Sequence, residues 1–389
     1  MQNVSKKKII LLGMMSRHPV AGMVWLTMQY VVGLQRLGHE VYYVEAHGAM
    51  PKFFMEDGND GFERAAAFIA EVMQRFELEG RWALQTLNDE RAVYGMSESR
   101  LAELYRAADL ILNLHGGTTP LPEYMAAEKM IYVGTDPVDR EIELFQNVEE
   151  TIALLAAHRA HFTWGENYGN ADCGVPVTTR FDFKPTRQPI VMDFWQSNGA
   201  SNGCFTTIGS WRQLWREIKF QGEVYHWSKH FEFLKFIDLP QRTTQTFELA
   251  LSGYKDEDKA MLLQKGWRMR NALGFTMDLE AYAKYLAASR GEFTVAKDQN
   301  VRLRSGWFSD RSASYLAAGR PVITQETGFS NILPTGAGLF AFTTMEEILS
   351  AIDAINSNYE RHSKAARELA QEYFSYEAVL PRMLADAGL

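Results

Sequence analysis

Residues 9–45 constrain the chain more than any other stretch. Ile9–Leu12 is an apolar run with no alternation, which fits a strand covered on both faces. A loop bounded by Gly13 and Gly22 follows. Met23–Leu37 then places Trp25, Met28, Val31, Val32 and Leu34 at helical spacing, and Gly38 with His39 ends that helix. Val41–Val44 reads as the next strand. Strand, loop, helix and strand in this order open a parallel βαβ unit, whose crossover is right-handed and whose sheet needs cover on both sides. The chain is thereby committed to a layered α/β architecture.

The pattern recurs. Helices are expected at Phe62–Glu77, Leu101–Ala107 and Glu149–His158. Strands are expected at Asp109–Leu114, Lys129–Val133 and Ala160–Trp164. These strands end at His115-Gly116-Gly117, at Gly134-Thr135-Asp136-Pro137 and at Gly165-Glu166-Asn167. Such carboxyl ends are where ligands bind in open parallel sheets. Residues 170–188 carry Gly174, Pro176 and Pro185, with Pro189 just beyond, and read as a crossing between domains. A second series follows. Its expected strands are Ile190–Phe194, Phe205–Ile208, Gly266–Met269, Phe293–Ala296 and Pro321–Thr324. Its expected helices are Lys229–Phe236, Thr246–Leu251, Leu279–Ala288 and Asp310–Ala318, with Met345–Ile355 and Arg361–Phe374 closing the chain. The fold class is therefore α/β, with two doubly wound Rossmann-like domains, residues 1–178 and 179–389.

Composition narrows the functions. Of 389 residues 46% are hydrophobic and 23% charged, which excludes a mainly disordered chain. The formal charge of −8 argues against a general nucleic-acid coat. Cys173 and Cys204 offer neither a disulfide framework nor zinc spacing, so a reducing, cytoplasmic setting is expected, with no metal site. No segment reads as a membrane span. Ile9–Met15 after Lys6–Lys8 reads as the first strand rather than as a signal segment.

One turn carries chemistry by itself. Ser309 stands where it can cap a helix starting at Asp310, and the free N–H groups there favour an anion such as a diphosphate. Arg304 and Arg311 add cations. The first loop has Gly13 and Gly22 but no G-x-G-x-x-G, which argues against a nicotinamide cofactor and leaves Glu45 as a solvated strand end.

The run Tyr315-Leu316-Ala317-Ala318-Gly319-Arg320-Pro321-Val322-Ile323, with Glu326-Thr327-Gly328 after it, resembles the donor-domain signature of GT-B glycosyltransferases. It is similar to family-4 enzymes and to the spore-maturation type of bacterial glycosyltransferase. Gly22–Glu45, with Leu37-Gly38-His39-Glu40-Val41, is similar to the opening of their acceptor domain. The resemblance implies two domains facing a cleft and a C-terminal helix that crosses back onto the first domain. It also implies transfer of a sugar from a nucleotide diphosphate sugar, a UDP-sugar first among them, to an acceptor. The acceptor is not identified by the sequence; a small molecule or glycan is expected, with a nucleic acid left open. No cofactor and no metal are required. The chain departs from the family at the two glutamate positions, which hold Gly306 and Ser314.

What the resemblance implies for single residues follows its motif and the strand ends. His115 and His18 are the candidates beside the reacting centre, with Asp310 on sugar hydroxyls. The donor would meet Ser210, Lys229, Phe308, Ser309, Arg311, Ser314, Thr327 and Gly328, with Trp267 stacked on the base and Arg311 on phosphate. Gly22, Asp136 and Glu166 would face the acceptor. Two alternatives stay open: a nucleotide-sugar 2-epimerase, which uses the same twin-domain fold, and a non-catalytic nucleotide-sugar-binding protein, kept open by the missing glutamates.

Overall fold

The computed structural model describes residues 6–50, 54–55, 61–88, 91–122, 128–196, 201–214 and 216–389. Its first sheet grows from the opening apolar run. The strands are β1 (Lys8–Leu12), β2 (Glu40–His47), β3 (Trp82–Thr86), β4 (Val93–Tyr94), β5 (Leu110–Leu114), β6 (Met130–Gly134), β7 (Ala160–Thr163) and β8 (Phe183–Pro185). They lie in the order β4-β3-β2-β1-β5-β6-β7-β8, parallel except for the β3–β4 pair. Ile10 of β1 sits between Tyr42 and Ile111. Helices cover both faces, so Ile9, Ile10, Leu11 and Leu12 are all fully buried, which is why the run does not alternate.

The second sheet is built from β9 (Cys204–Ser210), β12 (Thr246–Ser252), β13 (Arg268–Asn271), β14 (Gly291–Thr294), β15 (Val322–Gln325) and β16 (Leu339–Phe342), in the order β13-β12-β9-β14-β15-β16 and wholly parallel. Between β9 and β12 an antiparallel hairpin, β10 (Glu217–Phe220) with β11 (Glu223–His226), projects toward the first domain. There Ile218, Phe220 and Tyr225 pack with Val138, Ile142 and Val175. The core of the second sheet is aromatic, with Phe205, Phe233, Phe247, Trp267, Phe293 and Phe342 in one cluster.

Three expectations are corrected. Thr246–Leu251 is the strand β12, not a helix: its apolar residues lie between β9 and β13, and cross-strand burial decides their conformation. Ile190–Phe194 is not a sheet strand. Ile190 instead bridges Ser375, where the outgoing and returning crossings run side by side, with Ile190 N–H donating to Phe374 O at 2.6 Å and Tyr376 N–H to Ile190 O at 2.9 Å. The boundary after residue 178 falls too early, because β8 pairs with β7 and extends the first sheet to Pro185.

The chain closes on its beginning. Helix Tyr359–Leu369 passes through a wide turn at Ala370–Phe374 into helix Tyr376–Asp386, which packs on helix Ala21–Arg36. The contact is close at Gly33, where an added Cβ would lie 2.8 Å from Leu380 Cδ1 and from Tyr376 Cβ. No described helix is long and apolar enough to cross a membrane.

Candidate active site

Each sheet reverses its strand order once, between β1 and β5 in the first and between β9 and β14 in the second. Loops leaving such neighbours diverge and open a crevice at the carboxyl ends. Here the two crevices face each other. Lys297, just past β14, donates to both carboxylate oxygens of Asp136, past β6, at 2.7 Å. Trp307 Nε1 donates to Thr135 O at 3.1 Å, and Arg216 pairs with Asp139. On another side of the seam, Gly22 lies against the Tyr282 hydroxyl.

The first-domain face carries two histidines. His115 turns through the left-handed region, with φ +65°, and its Nδ1 is 2.7 Å from Thr135 Oγ1. Its Nε2 is buried with no partner among the described residues. Burial, with His18 nearby, pushes its pKa down to about 3, so the ring is neutral and offers an open nitrogen. His18 is also pushed down, first by burial and then by Arg17, while Glu45 acts in the opposite sense. Glu45 itself corrects the sequence reading: it is fully buried, not solvated.

The second-domain face carries cations. Lys229 stands just before helix His230–Lys235, with its Nζ 5.5 Å from the Trp307 ring centre. Burial and the nearby Arg311 and Lys297 bring its pKa down to about 7 against the opposing pull of Glu292 and Asp310, and no described carboxylate lies at ion-pair distance from it. Trp227 is flanked by Lys297 at 3.2 Å and by Arg216 at 3.8 Å from its ring centre, so one indole steadies both cations that reach across to the first domain. Asp310 opens helix Asp310–Ala317, and burial raises its carboxyl above the ordinary range. Among the described residues no three His, Cys, Asp or Glu side chains group as metal ligands.

No protein-family model and no curated protein matches the chain. Solved structures do. An alpha-glucosyltransferase in complex with UDP-glucose and abasic-site DNA superposes with a TM-score of 0.62 at 10% identity, covering 99% of this chain and 100% of that one. HepE from Anabaena, in complex with UDP and glucose, gives 0.54 at 13% identity over 98% and 99%. Sucrose-phosphate synthase from Thermosynechococcus elongatus gives 0.54 at 12% over 98% of each chain. The chain has the GT-B fold.

Within that GT-B frame several site expectations change. Arg311 does not point to a free phosphate site. Its guanidinium is tied to Glu292 Oε1 at 2.6 Å, Ile208 O at 2.7 Å and Thr294 Oγ1 at 3.1 Å. Trp267 is a core residue, 2% exposed, whose Nε1 donates to Ile237 O, so it has no face left for a base. Phe308 is buried between Phe329 and Phe374. Ser314 donates to Asp310 O within its own helix. Ser309 occupies the N-cap position, but its hydroxyl makes no capping bond. Thr327 donates to Trp307 O and thus holds the cleft loop from behind. Glu166 pairs with Arg187 at 2.7 Å and lines a separate cavity of about 280 Å³ with Tyr373 and Arg382, away from the histidines.

The remaining expected residues do meet at the seam. His18, His115, Asp136, Lys229 and Asp310 lie around the facing crevices. Ser210 ends β9 beside them, its hydroxyl 3.1 Å from Ser252 Oγ. The glycine at position 306, where the resembled enzymes carry a glutamate, has a steric reason. Gly306 has φ +83°, and a Cβ there would fall 2.7 Å from Asn167 Cβ and closer still to its backbone nitrogen. Gly328 is closed by the same residue, since a Cβ there would lie 2.6 Å from Asn167 Nδ2. The first-domain loop at Asn167 therefore fills the space a glutamate at position 306 would need. Sequence reasoning missed Lys297, Trp227, Thr135 and Tyr282. Their roles come from the pairing of strand ends across the two domains, for which a single chain carries no local signal.

Proposed function

We propose that the protein is a glycosyltransferase that moves a sugar from a nucleotide diphosphate sugar to an acceptor held by the first domain. The observation that carries this reading is Lys229, a lysine with no described carboxylate at ion-pair distance, beside Trp307 at the seam between the two domains. A buried, unpaired cation is costly unless an anion completes it, and a diphosphate does so. The N–H groups at the start of helix Asp310–Ala317 add partial positive charge. The fold's solved neighbours support UDP as the nucleoside diphosphate, since their structures contain UDP or UDP-glucose.

In this reading the helix start and Lys229 stabilise the leaving diphosphate, and Asp310 meets sugar hydroxyls. His115 offers its free Nε2 to the donor sugar, and His18 and Asp136 face the acceptor. No metal is needed, because protein cations take its place. Holding the anomeric carbon against the acceptor hydroxyl supplies the rest of the acceleration. The acceptor class is read by experiment, with small glycans and DNA as the arms. DNA earns an arm because one solved neighbour was captured with it.

Calorimetry with UDP, GDP and TDP, followed by turnover assays with the matching sugars, tests the reading. Binding of one nucleoside diphosphate and acceptor-dependent release of it supports transfer. Conversion of the donor with no acceptor favours the epimerase reading, and tight binding with no turnover favours a binding protein. No binding of any nucleotide contradicts all three.

A further inference from the structure

The most unusual polar cluster in the first domain lies behind the His18 loop, not in it. Glu45 is fully buried at the end of β2. Four donors converge on its carboxylate. Ser16 N–H reaches Oε1 at 3.0 Å and Tyr43 O–H reaches the same oxygen at 2.5 Å. His47 Nε2 lies 2.7 Å from Oε2, which also accepts from the Ser16 hydroxyl. Tyr43 takes part twice, since its hydroxyl accepts from Met15 N–H at 3.0 Å. Its ring passes beneath Gly13, where a Cβ would lie 2.5 Å from Tyr43 Cε2 and 2.8 Å from the hydroxyl oxygen.

Burial pushes the Glu45 carboxyl up, yet donation from His47, Ser16 and Tyr43 brings it below its ordinary range, so it is ionised. A buried carboxylate is expensive and persists only when its donors are fixed. Here two of the donors belong to Ser16, in the short 3-10 turn Met15–Arg17, and the loop's next residue is His18. The groups facing His18 are Arg17, Glu45 and His47, with His115 across the crevice. Of these only Glu45 favours the protonated imidazole.

We propose that Glu45 is a positioning residue for His18: its buried carboxylate holds both the backbone N–H and the hydroxyl of Ser16, and so anchors from behind the loop after β1 that carries His18. The inference rests on the reading of His18 as an acceptor-side group. It differs from a direct carboxylate–histidine pair, because Glu45 acts through the backbone and hydroxyl of Ser16 and through the field. Glutamine at position 45 keeps the volume but loses the charge, and its Nε2 turns one acceptor into a donor facing His47 and Ser16.

The test is made on the full-length protein with Glu45→Gln, Glu45→Asp and the wild type. Histidines are labelled and observed by NMR, with His18→Gln assigning the resonance. In Glu45→Gln the His18 titration midpoint moves to lower pH, and amides 15–18 exchange about tenfold faster. Glu45→Asp restores part of both. UDP affinity stays within about twofold of wild type, since the nucleotide lies on the other domain. The pH profile of UDP-glucose hydrolysis shifts with the His18 midpoint. An unchanged His18 midpoint with unchanged exchange at 15–18 overturns the proposal. So does a shift that comes with equal loss of UDP binding and of thermal stability, because the role is then merely structural. If the wild type fails to bind UDP, the transferase reading fails, while the His18 titration still decides the role of Glu45.

Discussion

The two faces of the crevice solve opposite problems. On the first domain, His18 and His115 are both pushed toward the neutral form, and the carboxylate that opposes this at His18, Glu45, is hidden behind the loop. On the second domain, Lys229 and Lys297 stay in the seam, one with no carboxylate at ion-pair distance among the described residues and one paired with Asp136. A neutral face with an open imidazole nitrogen suits sugar and acceptor hydroxyls, and a cationic face suits a diphosphate. The difference also shows in what each face is built from. The histidines sit on loops clamped by side chains of their own domain. The lysines are steadied by indoles, Trp307 for Lys229 and Trp227 for Lys297.

The largest expected effect separates ligand cations from structural ones. Arg311→Ala leaves Glu292 buried and unpaired, and costs about 3–5 kcal/mol of stability in urea unfolding. The UDP affinity of the folded fraction should not change. A large loss of affinity with little loss of stability would return Arg311 to the phosphate. Gly306→Glu, which introduces the glutamate of the resembled enzymes, should come next. It combines left-handed strain with overpacking against Asn167, for about 2–4 kcal/mol of destabilisation in the same assay. A stable variant would show that the Asn167 loop yields.

Lys229→Ala should weaken UDP binding by about 1.5–3 kcal/mol in calorimetry. The pH dependence follows from the depressed pKa. The free protein's Lys229 loses its proton near pH 7, so UDP affinity falls as pH rises through that value in the wild type and stays flatter in the variant. Stability moves the other way. Between about 7 and the ordinary lysine value of 10.5 the unfolded chain binds more protons than the folded one, so wild-type stability rises with pH relative to Lys229→Ala. The smallest effect is expected for Asp136→Asn. It removes the charge that holds Lys297 across a partly exposed seam, and should cost about 1 kcal/mol in urea unfolding.

Much of this architecture was legible in residue order. The runs Ile9–Leu12 and Asp109–Leu114 announced buried parallel strands, and Tyr315–Ile323 marked a helix and the strand β15 of the second domain. Thr246–Leu251 was misread because its apolar residues suit either period, and only its neighbours β9 and β13 decide. At the candidate site, loop, strand-end and helix-start positions singled out His18, His115, Asp136, Lys229 and Asp310, which lie near the seam between the domains. Burial could not be read in the same way. Trp267 and Phe308 looked like binding aromatics and are core, while Glu45 looked solvated and is buried. Arg311 shows the limit most clearly: its partner Glu292 lies on a different strand, and nothing near Arg311 in sequence announces it.

The central claim is that one nucleotide sugar bridges both faces. Hydrogen exchange with and without UDP-glucose tests it most directly. The account predicts slowed exchange at residues 229–231 and 307–312 on the second domain, and also at 15–18 and 115–118 on the first. UDP alone should protect the second-domain segments only. Protection confined to segments outside these four, or no change at saturating UDP-glucose, would contradict it.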